Sequence, residues 1–236
     1  MSIAMKRLGL LGGMSWESTL SYYRLLNQGV GRRLGGLHSA DLLLHSVDFA
    51  LIEALQTSGD WCRAGALLAD SARILQSAGA SALLLCTNTM HKVSDAIESA
   101  VSIPLLHIAD ATGQAVHRVG HRKVGLLGTR FTMEEDFYRQ RLVDGFGLQV
   151  ITPDANGRAE VDRVIYQELC RGRIEPESRL SFCRLIKQMG DAGAEAVILG
   201  CTEIGLLVGT EDSILPLFDT TSLHVDAALD WALSGA

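Results

Sequence analysis

Hydrophobic positions along the chain form short continuous runs that alternate with longer stretches of helical periodicity. Each run is closed by glycine or small polar residues, which indicates a buried strand of a parallel sheet. In the longer stretches, apolar residues recur at i, i+3 and i+4, which predicts helices over 18–33, 61–78, 134–146 and 177–192. The alternation of strand and helix predicts an α/β architecture with parallel strands.

The strand-like runs occur in matching pairs that keep the same order in the two halves of the chain. The pairs are 7–13 with 123–129, 79–89 with 193–203, and 103–108 with 215–219. Such a repeat predicts two homologous Rossmann-like lobes related by a pseudo-twofold axis, each with a parallel sheet flanked by helices. We expect the first lobe to comprise residues 1–115 plus 210–236 and the second to comprise 116–209.

The carboxyl ends of parallel strands meet at one edge of a sheet, where ligands of open α/β folds bind. The loops expected to face a shared cleft between the lobes are 12–17, 87–91, 129–133 and 201–205. The repeat gives Thr87 and Cys201 equivalent positions, so a planar intermediate would fit between them. Cys201 follows a strand and precedes a predicted helix start, where amide dipoles are expected to lower the pKa of a thiol.

Composition narrows the classes of function. The formal net charge is −6, and Lys and Arg are scattered along the chain, which argues against a nucleic-acid partner. The apolar run at the start is too short for a signal peptide or a membrane span, so we expect a cytoplasmic protein without a membrane partner. Glycine-rich dinucleotide fingerprints, Walker loops and nucleophile elbows do not occur in the sequence.

Cysteine and histidine spacing argues against a metal site. The 5 cysteines include no Cys-x-x-Cys pair, and His117 and His121 lack a convincing third ligand. We therefore predict no metal and no disulfide framework.

Three segments carry a resemblance to a known family: GGMSWEST at 12–19, CTNTMH at 86–91 and GCTEI at 200–204. They resemble the signature segments of the aspartate/glutamate racemases, over nearly the whole chain. The resemblance implies an enzyme without a cofactor that removes and returns the α-proton of an amino acid with two residues facing each other across the substrate. Most members use two cysteines. Here Cys201 is in place, whereas Thr87 stands where the first cysteine is expected.

The Thr-Asn-Thr form of the first motif resembles the branch that acts from the L-enantiomers of aspartate and glutamate. Residues 12–18, 38–40 and 44–49 share that likeness. Cys86 does not replace the missing cysteine, because side chains alternate faces along a strand and a shift of one residue turns Cys86 into the core.

Candidate substrate-binding residues surround the two strand ends. Asn88 and Thr89 offer donors for an α-carboxylate, and simple helix capping is an equally weighted alternative. Thr202 is the repeat mate of Asn88 and could bind the same carboxylate or the amino group. Met14 lies at the first glycine turn, where its backbone could contact substrate while its side chain packs.

Two further candidates come from the resemblance. Gln56 and Arg163 fall where family members hold the side-chain carboxylate of the substrate, and a guanidinium can bind a carboxylate with two parallel hydrogen bonds. A solvated helix arginine is the alternative for Arg163. Glu203 is expected to occupy the first turn of a helix rather than to act on the thiol, because the helix dipole stabilises acids there.

The leading hypothesis is a racemase of L-aspartate and L-glutamate in which Cys201 is the base and Thr87 delivers the returning proton. A broad-specificity amino-acid racemase, a cysteine-dependent decarboxylase or isomerase of small diacids, and a two-lobed amino-acid sensor without turnover stay open. The expected partner is a small amino acid, with a homodimer left open.

Overall fold

A computed structural model describes residues 5–234, in which strands and helices alternate. The strands are β1 (Leu8–Gly12), β2 (Leu42–Ser46), β3 (Ala82–Leu85), β4 (Leu105–Leu106), β5 (Lys123–Gly128), β6 (Gln149–Ile151), β7 (Ala196–Gly200) and β8 (Leu217–Asp219). The helices are α1 (Trp16–Leu34), α2 (Phe49–Ser58), α3 (Trp61–Ser77), α4 (Ser94–Glu98), α5 (Ile108–Arg118), α6 (Arg130–Glu134), α7 (Asp136–Phe146), α8 (Ala155–Gln167), α9 (Pro176–Asp191), α10 (Ile204–Leu207) and α11 (Thr220–Leu233). Short 3-10 helices span Thr89–Val93, Leu169–Arg171 and Thr210–Asp212.

The strands form two four-stranded sheets with the same order of connections. The first sheet runs β2-β1-β3-β4 and the second β6-β5-β7-β8, and every pairing is parallel. The repeated strands occupy the same places in both sheets: β1 with β3 and β5 with β7 form the central pairs, and β4 and β8 lie at the edge. The predicted fold class, two α/β lobes with parallel sheets flanked by helices, is confirmed.

The chain divides into two units, Met1–His107 with His224–Ala236 and Ile108–Leu223. The predicted lobes had placed most of α5 and all of β8 in the first lobe. The structure places both in the second unit, because Ile108 and Val116 of α5 pack in that unit's core and β8 pairs with β7. Apolar periodicity predicts that a helix is covered, but it does not reveal which sheet covers it.

The sheet of the first unit is buried on both faces at its central strands, β1 and β3, which explains their uninterrupted apolar sequences. Leu83 and Leu85 pack with residues of α2 and α3. Leu84 and Cys86 lie on the opposite face, in a cluster with residues of α1 and α11. The prediction that Cys86 is a core residue is therefore confirmed, and its burial raises the pKa of its thiol.

The second unit repeats this layering. Val197 and Leu199 of β7 pack with α8 and α9, on the face that also receives Cys201. Ala196 and Ile198 face α5 and α7. Alternation along β7 therefore directs Cys201 to the same face as Leu199, one strand position after Gly200.

The four predicted helices correspond to α1, α3, α7 and α9, with ends that differ by one or two residues. Helix α1 begins at Trp16 because the Ser15 side chain caps it by accepting from the Ser18 amide. The helix predicted from residue 134 starts only at Asp136, since Glu135 adopts an extended conformation between α6 and α7. Across residues 5–234, no helix combines the length and apolar character that crossing a bilayer requires.

Candidate active site

The end of β3 presents a buried polar turn in the first unit. The turn consists of Thr87, Asn88 and Thr89, each less than a tenth exposed. The Thr87 amide donates to Leu85 O at 2.8 Å, and His91 Nδ1 donates to Thr87 O at 2.8 Å. The Asn88 side chain makes no capping bond to the 3-10 helix that follows, so helix capping is not its role.

Two other predicted substrate residues lie in the same unit. The Met14 side chain is buried in the core between β1 and α2, as expected of a packing side chain. Gln56 is buried on α2, and its Nε2 donates to Met90 Sδ at 2.9 Å. Through Met90, Gln56 therefore contacts the segment that carries Thr89.

The end of β7 presents a thiol, a hydroxyl and a carboxylate in the second unit. Cys201 is 7% exposed, and its Sγ donates to Glu203 Oε2 at 3.0 Å. The Thr202 hydroxyl donates to the same oxygen at 2.7 Å. On the other side of this carboxylate, Cys170 Sγ lies 3.7 Å from Glu203 Oε1. Glu203 is thus a buried carboxylate bonded to three donors.

This arrangement corrects two expectations from the sequence. Glu203 does not merely fill a helix turn, because its carboxylate binds the cysteine thiol directly. The predicted lowering of the Cys201 pKa is also wrong. Burial raises the pKa of this thiol well above its usual value, and the negative charge of Glu203 and the nearby Cys170 raise it further. Helix α10 spans only four residues, too few aligned peptides to offset these effects.

Arg163 is bound by carboxylates of its own unit. Its guanidinium makes two bonds of 2.9 Å to Glu160 and one of 2.8 Å to Glu168, which also accepts from the Ser178 hydroxyl at 2.6 Å. These residues line a cavity of about 770 Å³ that does not include Cys201 among its lining residues. A substrate carboxylate would have to displace one of the two glutamates to reach Arg163.

No pattern in the sequence indicates a role for Cys170. It lies on a 3-10 helix after α8, far along the chain from Cys201, and no spacing rule links the two. Glu203 could have been recognised, because a carboxylate two residues after a catalytic cysteine can reach the thiol across a tight turn. Within residues 5–234, no group of three or more His, Cys, Asp or Glu side chains has a metal-binding arrangement.

The fold and the two strand ends define an α/β protein with equivalent polar positions in its two parallel sheets. The equivalent ends of β3 and β7 carry a hydroxyl and a thiol, each with buried polar neighbours suited to a small charged substrate. A family model described as Asp/Glu/hydantoin racemase matches residues 11–228. The chain belongs to this family and is an amino-acid racemase, an isomerase.

Individual relatives agree with this assignment. A candidate Asp/Glu racemase from Yersinia pestis superimposes with a TM-score of 0.90 at 55% identity, over 97% of this chain and 100% of that one. An aspartate racemase homologue from Pyrococcus horikoshii gives a TM-score of 0.84 at 32% identity, over 97% and 99%. A broad-specificity amino-acid racemase from Bacillus subtilis is 26% identical over 155 residues, 65% of each chain.

Proposed function

We propose that this racemase interconverts the enantiomers of aspartate and glutamate without a cofactor, with Cys201 and Thr87 acting on opposite faces of the substrate Cα. One observation carries the proposal: the Cys201 thiol donates to a buried carboxylate, Glu203, at the strand end equivalent to the one that carries Thr87. A thiol bonded to a carboxylate has an acceptor for its own proton, which is what a base with a raised pKa requires.

The proton balance follows from this pair. The Cys201 proton moves to Glu203 Oε2, and the resulting thiolate takes the α-proton as the Cα–H electron pair passes into the substrate carboxylate. The Thr87 hydroxyl then protonates the opposite face. Glu203 returns its proton through water to the Thr87 oxygen, so each group regains its starting state. Because a hydroxyl has a pKa comparable to the roughly 15.7 of water, Thr87 is a poor base and a better proton donor.

Donors around the two turns suit the substrate. Asn88 and Thr89 supply amide and hydroxyl groups for the α-carboxylate, whose charge grows as the carbanion forms. Thr202 is the third proposed contact, and its hydroxyl proton is bonded to Glu203 in the substrate-free structure. Gln56 is buried and donates to Met90, just after the first turn. Met14 follows β1, the strand that pairs with β3, and its backbone is the proposed contact. Arg163 is the proposed partner of the side-chain carboxylate, in competition with Glu160 and Glu168.

A broader substrate range is a second candidate, favoured by the likeness to the Bacillus subtilis enzyme described as broad in specificity. It differs from the first proposal only in the side-chain partners, since the α-carbon chemistry is the same.

The deciding experiment is incubation of the protein with single L- and D-amino acids in deuterium oxide. Loss of the α-proton signal is followed by NMR, and the enantiomer ratio is followed by chiral chromatography. We expect exchange and inversion with aspartate and glutamate. Exchange with many side chains would establish the broad range instead. Decarboxylation, or binding without exchange, would contradict the proposal.

A further inference from the structure

Behind the Thr87 turn, the first unit contains three buried histidines that the proposed chemistry does not use. They are His91, His107 and His224, each at most 5% exposed. The ring centroids of His91 and His107 lie 4.3 Å apart, and those of His91 and His224 lie 6.1 Å apart. Burying an imidazole ring costs free energy unless its polar nitrogens are hydrogen-bonded.

The hydrogen bonds of this cluster fix the position of the proton on two of the rings. A carbonyl oxygen only accepts, so His91 carries its proton on Nδ1, which bonds to Thr87 O. By the same reasoning His224 is protonated at Nε2, which donates to Leu106 O at 2.7 Å. Its Nδ1 therefore accepts from the Tyr22 hydroxyl, also at 2.7 Å. Both rings make these bonds in the neutral form.

The charge state agrees with this geometry. Burial lowers the pKa of His91 well below its usual value, and the proximity of His107 and His224 lowers it further. Tyr22 is the titratable group that α1 adds to the cluster. Lys92, the next residue along the 3-10 helix, directs its ammonium to the Trp61 ring at 3.9 Å. A neutral His91 is consequently a stable donor rather than a group that switches near neutral pH.

The cluster gathers four separate segments at the strand edge that carries Thr87. His91 follows β3, His107 follows β4, His224 belongs to α11 and Tyr22 belongs to α1. His107 is also the last residue of the first unit before the chain leaves it, and His224 is the first residue on its return. The Thr87 carbonyl therefore bonds to the His91 ring, which packs against His107 and His224, the residues at which the chain leaves and re-enters the first unit.

We propose that His91 is a positioning residue for Thr87: its Nδ1–H, held by packing against His107 and His224, fixes the Thr87 backbone so that the hydroxyl is aligned for proton return. His91 acts through Thr87 and does not itself exchange protons with the substrate. This inference rests on the proposed function for its kinetic part, whereas the state of the ring is measured independently of activity.

The first measurement is the nitrogen NMR spectrum of the intact protein with labelled histidine, His91 being assigned from the signal lost in His91→Asn. We expect a neutral ring with its proton on Nδ1, still neutral about one pH unit below the ordinary histidine pKa of about 6.5. A charged ring at that pH, or a proton on Nε2, would overturn the proposal even if the enzyme is a racemase.

The second measurement is a double-mutant cycle with Thr87→Ala and His91→Ala. We expect His91→Ala to lower kcat at least about tenfold with a smaller change in KM, and to cause no further loss in the Thr87→Ala background. His91→Asn should stay within a few-fold of the parent, because its amide nitrogen can donate to the same carbonyl. Additive losses, or failure of a folded His91→Asn to rescue kcat, would refute the positioning role.

Tyr22→Phe is the matched control, since it removes a hydroxyl from the cluster but keeps the bond from His91 to Thr87. It should leave kcat within a few-fold. A loss equal to that of His91→Ala would show that general packing, not the His91 bond, sets the rate, and the proposal would fall. If Thr87→Ala keeps the parent rate, the role proposed for Thr87 fails, and the positioning role fails with it.

Discussion

At the scale of single residues, the proposed racemisation depends on whether Cys201 and Glu203 are protonated. Cys201 is a thiol in the resting protein because burial and the negative charge of Glu203 raise its pKa. The same carboxylate accepts a hydrogen bond from the thiol, with 3.0 Å between Sγ and Oε2, so the group that opposes the thiolate is also the proposed acceptor of its proton. A cysteine without such a partner, like the fully buried Cys86, has a raised pKa and no acceptor side chain in the described contacts.

Replacement of Cys201, the proposed base, should therefore remove activity without unfolding the protein. We expect Cys201→Ser to lower kcat/KM by roughly 10²–10⁴-fold, because a serine hydroxyl is a far weaker base. Racemisation rate and melting temperature are measured together. Cys183→Ser, a partly buried cysteine on α9, serves as the control and should keep the parent rate. Retention of most activity in Cys201→Ser would move the base elsewhere.

Glu203→Gln separates the two effects proposed for the carboxylate: it raises the pKa of Cys201, and it accepts the Cys201 proton. Removing the charge should lower the pKa of Cys201, so alkylation of this thiol by iodoacetamide near neutral pH should become faster. Racemisation should nevertheless become at least about tenfold slower, because the proton acceptor is lost. Two readouts moving in opposite directions identify a proton acceptor. A faster enzyme would mean that Glu203 only suppresses the thiolate.

Replacing Cys170 tests whether a second thiol near Glu203 affects the pKa of Cys201. Its thiol lies 3.7 Å from Glu203 Oε1, on the side away from Cys201. From the structure we expect Cys170→Ala to lower the pH at which Cys201 becomes alkylated, because the nearby Cys170 contributes to raising that pKa. An unchanged alkylation profile would show that the contact has no influence on Cys201.

At the scale of elements, the register at the ends of β3 and β7 decides which side chains reach the site. Leu84 and Cys86 share one face of β3, and alternation places Thr87 on the other. In β7 the corresponding face holds Leu199 and Cys201. The repeat therefore aligns Thr87 with Cys201, and Cys86 aligns with Gly200.

Cys86→Ala tests this register directly. The change truncates a fully buried side chain and should cost about 1 kcal/mol of stability, while kcat and KM stay close to the parent values. Urea unfolding and steady-state kinetics are the measurements. A loss of activity as severe as that of Cys201→Ser, in a protein that still folds, would place Cys86 at the site. The register assigned to the first motif would then be wrong by one residue.

The segment that carries His91 also links stability to pH. The pKa of His91 is lower in the folded state than in the unfolded chain, so the folded state binds fewer protons between those two values. Its contribution to stability is fully present above the unfolded pKa of about 6.5 and is lost as the pH falls below it. We expect the melting temperature to fall on acidification by less in His91→Asn than in the parent protein. His38→Asn, an exposed histidine after α1, is the control and should follow the parent.

At the scale of the whole molecule, the proposed mechanism uses one group from each half of the repeat, Thr87 and Cys201, and the two groups differ in strength as bases. Enantiomers are equally stable in achiral water, so kcat/KM must be the same in both directions. A thiol supported by Glu203 and a hydroxyl at Thr87 can therefore produce asymmetry only in kcat and KM separately. The direction that relies on Thr87 as the base should show both a lower kcat and a lower KM.

Thr87→Cys should make the two directions more alike. A second thiol is a better base than a hydroxyl, so the slower saturating rate should rise toward the faster one. Full progress curves from pure L- and pure D-aspartate, for the parent and the variant, provide the measurement. Equal saturating rates in the parent would show that Thr87 is no weaker than Cys201 in its role.

Local patterns in the sequence determined the α/β class, the paired sheets and the residues at the ends of β3 and β7. Periodicity and strand alternation are properties of neighbouring residues, so they also predicted Cys86 as core. Only the tertiary structure decided that α5 and β8 belong to the second unit, and that Cys170 and Glu203 meet near Cys201. Hydrogen bonds between distant segments and the loss of solvent around a thiol arise when those segments pack together. For that reason the sequence located Cys201, but its environment in the fold set the direction of its pKa.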